Sequence, residues 1–343
     1  MKTSQALGLV AVAGACGLVL SRVARTKYGV DFYGKSVVIF GGSRGLGLEI
    51  ARQLASQGAY LTLCARDTEE LERARIDLDD RGFSATTIPC DIRDRRDVEA
   101  AIQRVIAEHG AIDVLINDAG VIQVGPVELM TVADFENAMA THFWGPLFTI
   151  LAALPHMRRA GDRRIVNISS IGGKIAVPHL VPYSASKFAL TGLSEGLRAE
   201  LAQDGFAVTT VCPGLTRTGS TYNAEFKGQH RQEFAWFHMA DSMPALSISA
   251  RRAATQIIEA CRRGDPDLII TPAARLAVAM NGISPSLTSR LLAMANWLLP
   301  SAGNGDANET RSGWQSVSSH VPSAMTQLAD RATIENNELP AKD

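Results

Sequence analysis

From Lys35 onward, short apolar runs alternate with longer stretches whose apolar residues recur at helical spacing. Residues 36–40 (SVVIF), 60–64 (YLTLC), 85–89, 112–116, 164–168, 207–212 and 267–271 read as strands. Between them, residues 45–57, 68–81, 98–108, 132–159, 182–202 and 248–262 read as helices; in the first, Leu46, Ile50, Ala51 and Leu54 share one face. Strands separated by helices of ten or more residues predict crossover connections. The fold class is therefore α/β: a doubly wound parallel sheet of about seven strands with helices on both faces. The alternation stops near Pro272, and residues 273–280 and 287–299 read as two short helices forming a C-terminal extension. Beyond Pro300 the chain turns rich in Gly, Ser, Asn and Asp and is expected to be a polar, flexible tail without a core of its own. The expected organisation is an apolar segment at 1–30, a nucleotide-binding catalytic domain at 31–272, a helical extension at 273–300 and the tail at 301–343.

Residues 6–20 carry no charge, with Lys2 before them and Arg22, Arg25 and Lys27 after. This run is shorter than the roughly 20 apolar residues that cross a bilayer upright. Three readings stay open: an uncleaved anchor at 6–23 that leaves the catalytic domain in the cytoplasm, a cleaved export signal ending near Ala13-Gly14-Ala15, and a buried or unstructured leader. Across 343 residues, 34 basic residues balance 35 acidic ones, so nothing favours a nucleic-acid partner, which demands a basic surface. The five cysteines show no metal-ligand spacing, and no metal is expected; they read as small buried hydrophobes in a reducing compartment.

Candidate chemistry begins at the turn after the first strand. Gly41, Gly45 and Gly47 give the spacing GxxxGxG, with Ser43, Arg44 and Leu46 between them. Glycines here let backbone approach a ligand without Cβ collisions, and the following helix offers free N–H groups and a positive dipole end to a pyrophosphate. An acidic residue ending the second strand would favour NAD, but Cys64-Ala65-Arg66 stands there. Arg44 and Arg66 converging on a 2′-phosphate would favour NADP over NAD, whereas Arg73 and Arg75 read as solvated.

Tyr183 and Lys187 lie four apart on one helical face. A tyrosine hydroxyl ionises near pH 10, and an adjacent ammonium would move it toward the working range of an acid or base. Ser170, just after the fifth strand, could hydrogen-bond a substrate carbonyl, while Ser169 should point elsewhere. Together these motifs resemble the short-chain dehydrogenase/reductase family in its single-domain branch, over roughly residues 35–272. Asp91 and Ile92 stand where the family contacts adenine. The run Asn117-Asp118-Ala119-Gly120 matches its NNAG turn, and Pro213-Gly214-Leu215-Thr216-Arg217-Thr218 matches its PGxxxT segment. The resemblance implies a Rossmann sheet and hydride transfer between NADP(H) and a carbonyl or secondary alcohol. By it, Tyr183 donates the proton, Lys187 lowers the tyrosine pKa and holds the nicotinamide ribose, and Ser170 orients the carbonyl. Gly41, Ser43, Arg44, Gly45, Leu46, Gly47, Arg66, Asp91, Ile92, Asn117, Ala119, Gly120, Pro213, Gly214, Thr216 and Thr218 would hold the cofactor, with Tyr183 and Lys187.

Three positions depart from the pattern. Phe40 replaces a threonine whose hydroxyl would tie the glycine turn to the Asn117 turn. Asp118 replaces the second asparagine. His142 stands where an asparagine usually holds a relay water, either joining the relay or simply packing in the core. Residues 219–247 should shape the substrate pocket. There Tyr222, Phe226, Phe234, Trp236, Phe237 and Met239 would suit a hydrophobic alcohol or ketone such as a steroid, retinoid or lipid, unless they are ordinary helix packing. The 273–299 helices could cover that pocket, form a homo-oligomer contact or lie against a membrane. The alternative function is a catalytically weakened dinucleotide sensor or scaffold of the same fold.

Overall fold

The computed structural model describes residues 29–244, 246–303, 309–317 and 323–339. Seven strands, β1 (Ser36–Phe40), β2 (Tyr60–Ala65), β3 (Ala85–Pro89), β4 (Val114–Asn117), β5 (Arg164–Ile168), β6 (Ala207–Pro213) and β7 (Asp267–Ile270), form one sheet. Their order is β3-β2-β1-β4-β5-β6-β7, and every pairing is parallel. The chain therefore winds outward from β1 in one direction, then returns and winds from β4 in the other. The crevice at the carboxyl ends of β1 and β4 is the switch point where such sheets bind ligands.

The connecting helices are α1 (Gly45–Ala55), α2 (Thr68–Asp80), α3 (Arg95–His109), α4 (Val132–Met139), α5 (Gly145–Met157), α6 (Val181–Leu201), α7 (His230–Ser242) and α8 (Ala250–Arg263). Strand alternation sends Val37 and Ile39 to one face, where they pack with Leu48, Ile50, Leu71 and Ile257 of α1, α2 and α8. Val38 and Phe40 go to the other, against Val98, Ile102, Ile150 and Met157 of α3 and α5. Each such fully buried aliphatic side chain is worth roughly 1.5–3 kcal/mol, and both faces are needed because parallel strands leave neither side to water. Local signals set the helix ends: Asp67 and Asp94 accept the first free N–H groups of α2 and α3, and Gly110 ends α3 at φ 75°.

Four segments fold differently from what the sequence predicts. The fourth strand is 114–117, not 112–116. The helix expected over 132–159 is interrupted by a π-turn, Ala140–Trp144, before Pro146. That turn carries one extra residue and swings Thr141 and His142 into the interior. The C-terminal extension is α9 (Pro272–Ile283) and α10 (Pro285–Asn296), separated only by Ser284, and none of it lines the central cavity. The tail, expected to lack packing, contains α11 (Ser323–Glu335), which lies on α7 and buries Ala329 and Ala332. Arg311–Ser312 also adds an antiparallel strand to Glu225–Phe226, which in turn pairs with Gln123–Val124. Polar composition hid this docking because the tail borrows its apolar partner from the catalytic domain. The 6–23 segment and Cys16 lie outside the described residues.

Candidate active site

A cavity of about 790 Å³ opens at the switch point. Of the residues singled out in the sequence, Gly41, Ser43, Arg44, Gly45, Leu46 and Arg66 line its glycine end, with Asp91, Ile92, Ala119 and Gly120 beside them. His142, Ser170, Tyr183 and Lys187 line the other end, with Pro213, Gly214, Thr216 and Thr218 along the wall. Gly47 and Asn117 do not line it. A Cβ on Gly47 would lie 2.1 Å from the Gly41 carbonyl oxygen, so its role is the tightness of the turn. Asn117 donates to Asn167 Oδ1 at 2.9 Å and accepts from Thr149 at 2.7 Å, pinning β4 to β5 and α5 in a buried polar network.

The turns at the ends of β1 and β4 touch directly. Gly41 has φ 91°, and a Cβ there would lie 2.5 Å from the Ala119 nitrogen. The missing threonine tie is replaced from the opposite side: Asp118 N–H donates to Phe40 O at 2.8 Å, and the Asp118 carboxylate accepts from Gly47 N–H. Burial raises this carboxyl to about 7, against the lowering pull of Lys187 and Gly47.

At the other end, β5 delivers Ser170 and the first turns of α6 deliver Tyr183 and Lys187. Gly172 N–H donates to Ser170 Oγ at 3.0 Å, fixing the hydroxyl, which hydrogen-bonds the Tyr183 oxygen. Ser169 turns away, as strand alternation requires, donating to Lys187 O at 3.0 Å. Lys187 Nζ donates to Ile168 O at 2.8 Å and lies 5.7 Å from the centre of the Tyr183 ring. Burial lowers Lys187 to about 8, with Asp118 opposing. Burial raises the Tyr183 pKa, and the hydrogen bond from Ser170 opposes the rise. A phenol so placed holds its proton through neutral pH, as a proton donor must.

His142 is buried, and both ring nitrogens are engaged. Val121 N–H donates to Nε2 at 3.0 Å, so Nδ1 carries the proton and donates to Ser186 Oγ at 2.7 Å. Burial, then the Lys187 charge, push its pKa well below the usual range. Its ring meets the Tyr183 ring edge-on at 5.3 Å. The imidazole thus anchors the tyrosine's helix and has no nitrogen left for a relay.

Of the five aromatic residues and Met239 expected around the substrate, Trp236 and Phe237 line the cavity. Trp236 is held by its N–H to Glu233 at 2.7 Å, and Glu233 by buried His179 at 2.8 Å. Tyr222, Phe226 and Phe234 pack on one another instead, and Tyr222 stacks on Trp314 of the tail. Asp241 on α7 also lines the cavity. It is buried, one carboxyl oxygen has no partner among the described residues, and burial raises it to about 7.

At the glycine end, Arg44 pairs with Glu338 and with Glu70. Arg66 forms no ion pair among the described residues. Arg73, expected to be solvated, donates to Asn337 at 2.7 Å. Asn336, Asn337 and Glu338 lie so far along the chain that no spacing or motif announced them. The glycine cradle, the two arginines and the Ser170–Tyr183–Lys187 group fit a nicotinamide dinucleotide, except that tail residues already hold Arg44 and the Gly45 N–H.

A family model described as short chain dehydrogenase matches residues 35–227. The chain is 33% identical over 285 residues to a mosquito (Anopheles gambiae) protein named dehydrogenase/reductase SDR family protein 7-like, covering 81% of this chain and 88% of that protein. Among solved structures, a dehydrogenase/reductase from Sinorhizobium meliloti is similar with TM-score 0.62 and 30% identity, over 74% of this chain and 99% of that one. A gluconate 5-dehydrogenase from Burkholderia cenocepacia, solved with NADP and tartrate, is similar with TM-score 0.62 and 26% identity, again over 74% of this chain and 99% of that one.

Proposed function

The chain belongs to the short chain dehydrogenase family, oxidoreductases that act on CH–OH or carbonyl groups with NAD(P), and we propose that it is an NADP-dependent enzyme interconverting a ketone and a secondary alcohol of a hydrophobic substrate. The observation that carries this reading is the Ser170–Tyr183 pair at one end of a cavity whose other end is a glycine turn flanked by Arg44 and Arg66. The nicotinamide, when bound, supplies the hydride chemistry. The protein supplies placement and a proton. The Tyr183 phenol, kept protonated by burial, gives its proton to the substrate oxygen. The single Ser170 O–H donates to that oxygen while the proton moves and to the phenolate once it has left, and Lys187 places an ammonium beside the ring. A pure sensor has no need of that arrangement, so the enzymatic reading is preferred to a scaffold.

NADP is favoured over NAD by Arg66, exposed at the cavity rim with no carboxylate bound to it among the described residues. The hydrophobic substrate class rests on Val177, Leu180, Leu215, Trp236 and Phe237 in the wall. The decisive assay is NADPH oxidation against a panel of hydrophobic ketones, with Tyr183→Phe as control. Turnover unaltered in that variant would remove the assigned proton donor.

Membrane association is part of the same proposal. No helix among the described residues is long and apolar enough to cross a membrane. However, Leu276, Ile283, Leu287, Leu291, Met294, Trp297 and Leu298 stand exposed on and just after α9 and α10. Removal of residues 1–30 should move the protein from the membrane fraction to the supernatant. Equal partition of both forms would refute it.

A further inference from the structure

Residues 336–338, just after α11, sit on the groups that would hold the dinucleotide's phosphates. Gly45 N–H donates to Asn336 O at 2.8 Å. The Glu338 carboxylate lies on the open face of the same residue, 2.7 Å from where a Cβ would stand. Its other oxygen pairs with the Arg44 guanidinium and accepts from Asn223 Nδ2 at 2.6 Å. Asn337, at φ 59°, bridges the loop to its neighbour by donating to Ser43 O at 2.8 Å and to Glu70 O at 3.1 Å. Asn336 Nδ2 reaches Thr218 O at 3.2 Å. One carboxylate and one carbonyl thus occupy a guanidinium and a glycine-turn amide, the two donor types with which a protein binds phosphate oxygens.

These contacts are built rather than incidental. Glu338 is 2% exposed, and a carboxylate that deep needs the partners it has. The segment is also anchored from behind. Gly219 meets Thr333 so closely that a Cβ would lie 2.5 Å from its Cα. Asp330 accepts from Tyr222 Oη at 2.6 Å and pairs with His238 at 3.1 Å. Helix α11 can therefore stay seated while the four residues after it lift away.

We propose that residues 336–339 are an internal competitor of the dinucleotide: Glu338 stands in for a phosphate at Arg44 and Gly45, and tail docking and cofactor binding exclude each other. This rests on the dinucleotide reading of the cleft. Because the competitor is tethered, its effective concentration is on the order of millimolar, enough to weaken cofactor affinity without any new ligand. The enzyme is then held in check until something draws the tail away or cofactor is plentiful.

The test uses the full chain and measures NADPH and NADH binding by calorimetry for wild type, Glu338→Gln and Asn337→Ala. Hydrogen exchange is followed at the Glu338 amide, which donates to Thr333 O at 3.0 Å in the docked tail. Competition predicts that both variants bind NADPH about tenfold more tightly, since Glu338→Gln removes the charge paired with Arg44 and Asn337→Ala removes the bonds to Ser43 and Glu70. It also predicts that NADPH deprotects the Glu338 amide in wild type. Equal or weaker binding by the variants, with the amide still protected in the bound state, overturns the competition while leaving the dinucleotide reading intact. Absence of binding by every form overturns both.

Discussion

The two ends of the cleft are built by different means. The tyrosine end comes from a compact stretch, His142 to Lys187, carried on the π-turn, the end of β5 and the start of α6. Its groups are held by bonds to nearby backbone, such as Ser170 by Gly172 N–H and Lys187 by Ile168 O, and its residues line the cavity. The glycine end begins equally locally, at residues 41–47, but its Arg44 guanidinium pairs with a carboxylate 294 positions away as well as with Glu70. One end is preorganised and awaits a reactant. The other is preorganised and answered by the chain itself. Placing the right groups therefore does not make a site available, because a second part of the same molecule can fill it at the cost of only its own ordering.

This contrast can be broken experimentally. The largest effect belongs at the tyrosine end: Tyr183→Phe removes the proton donor and should lower turnover by about 10²–10⁴-fold, with cofactor affinity nearly unchanged. Steady-state rates beside cofactor binding check both halves. At the glycine end, Arg66→Ala should cut the preference for NADP over NAD by about 10–100-fold, the worth of a charge-assisted contact. An unchanged ratio of kcat/KM for the two cofactors would transfer that role to Arg44 and thus to the state of the tail. The smallest effect concerns Asp118, where the two ends meet. Its carboxyl is raised from the ordinary 3.8 to about 7 in the folded chain. Both states are protonated below the ordinary value. As pH rises toward 7 the unfolded chain ionises freely and the folded one does not, so stability falls across that window. Asp118→Asn keeps an acceptor for Gly47 N–H and removes the fall. Its Tm should match wild type at pH 4 and exceed it by about 2–4 °C at pH 8. A Tm difference independent of pH would show that the carboxyl ionises as freely in the fold as outside it.

What was legible in the sequence was whatever short-range chemistry writes at fixed spacing. Apolar runs alternating with helical periodicity gave the seven strands and their helices, because a doubly covered parallel sheet imposes that pattern on every strand. GxxxGxG, Ser170 and the Tyr183–Lys187 pair were visible because a tight turn and one helical turn fix their offsets. Other features needed the tertiary structure. Whether His142 joins a relay was decided by Val121 N–H and Ser186, which take both its nitrogens. Which aromatic residues face the substrate was decided by packing, which turned Trp236 and Phe237 inward and left Tyr222 to the tail. The seat taken by Glu338 is the extreme case. A polar tail carries no periodic signal of what it will touch, since the apolar face and the guanidinium that receive it belong to residues the chain reaches only after folding.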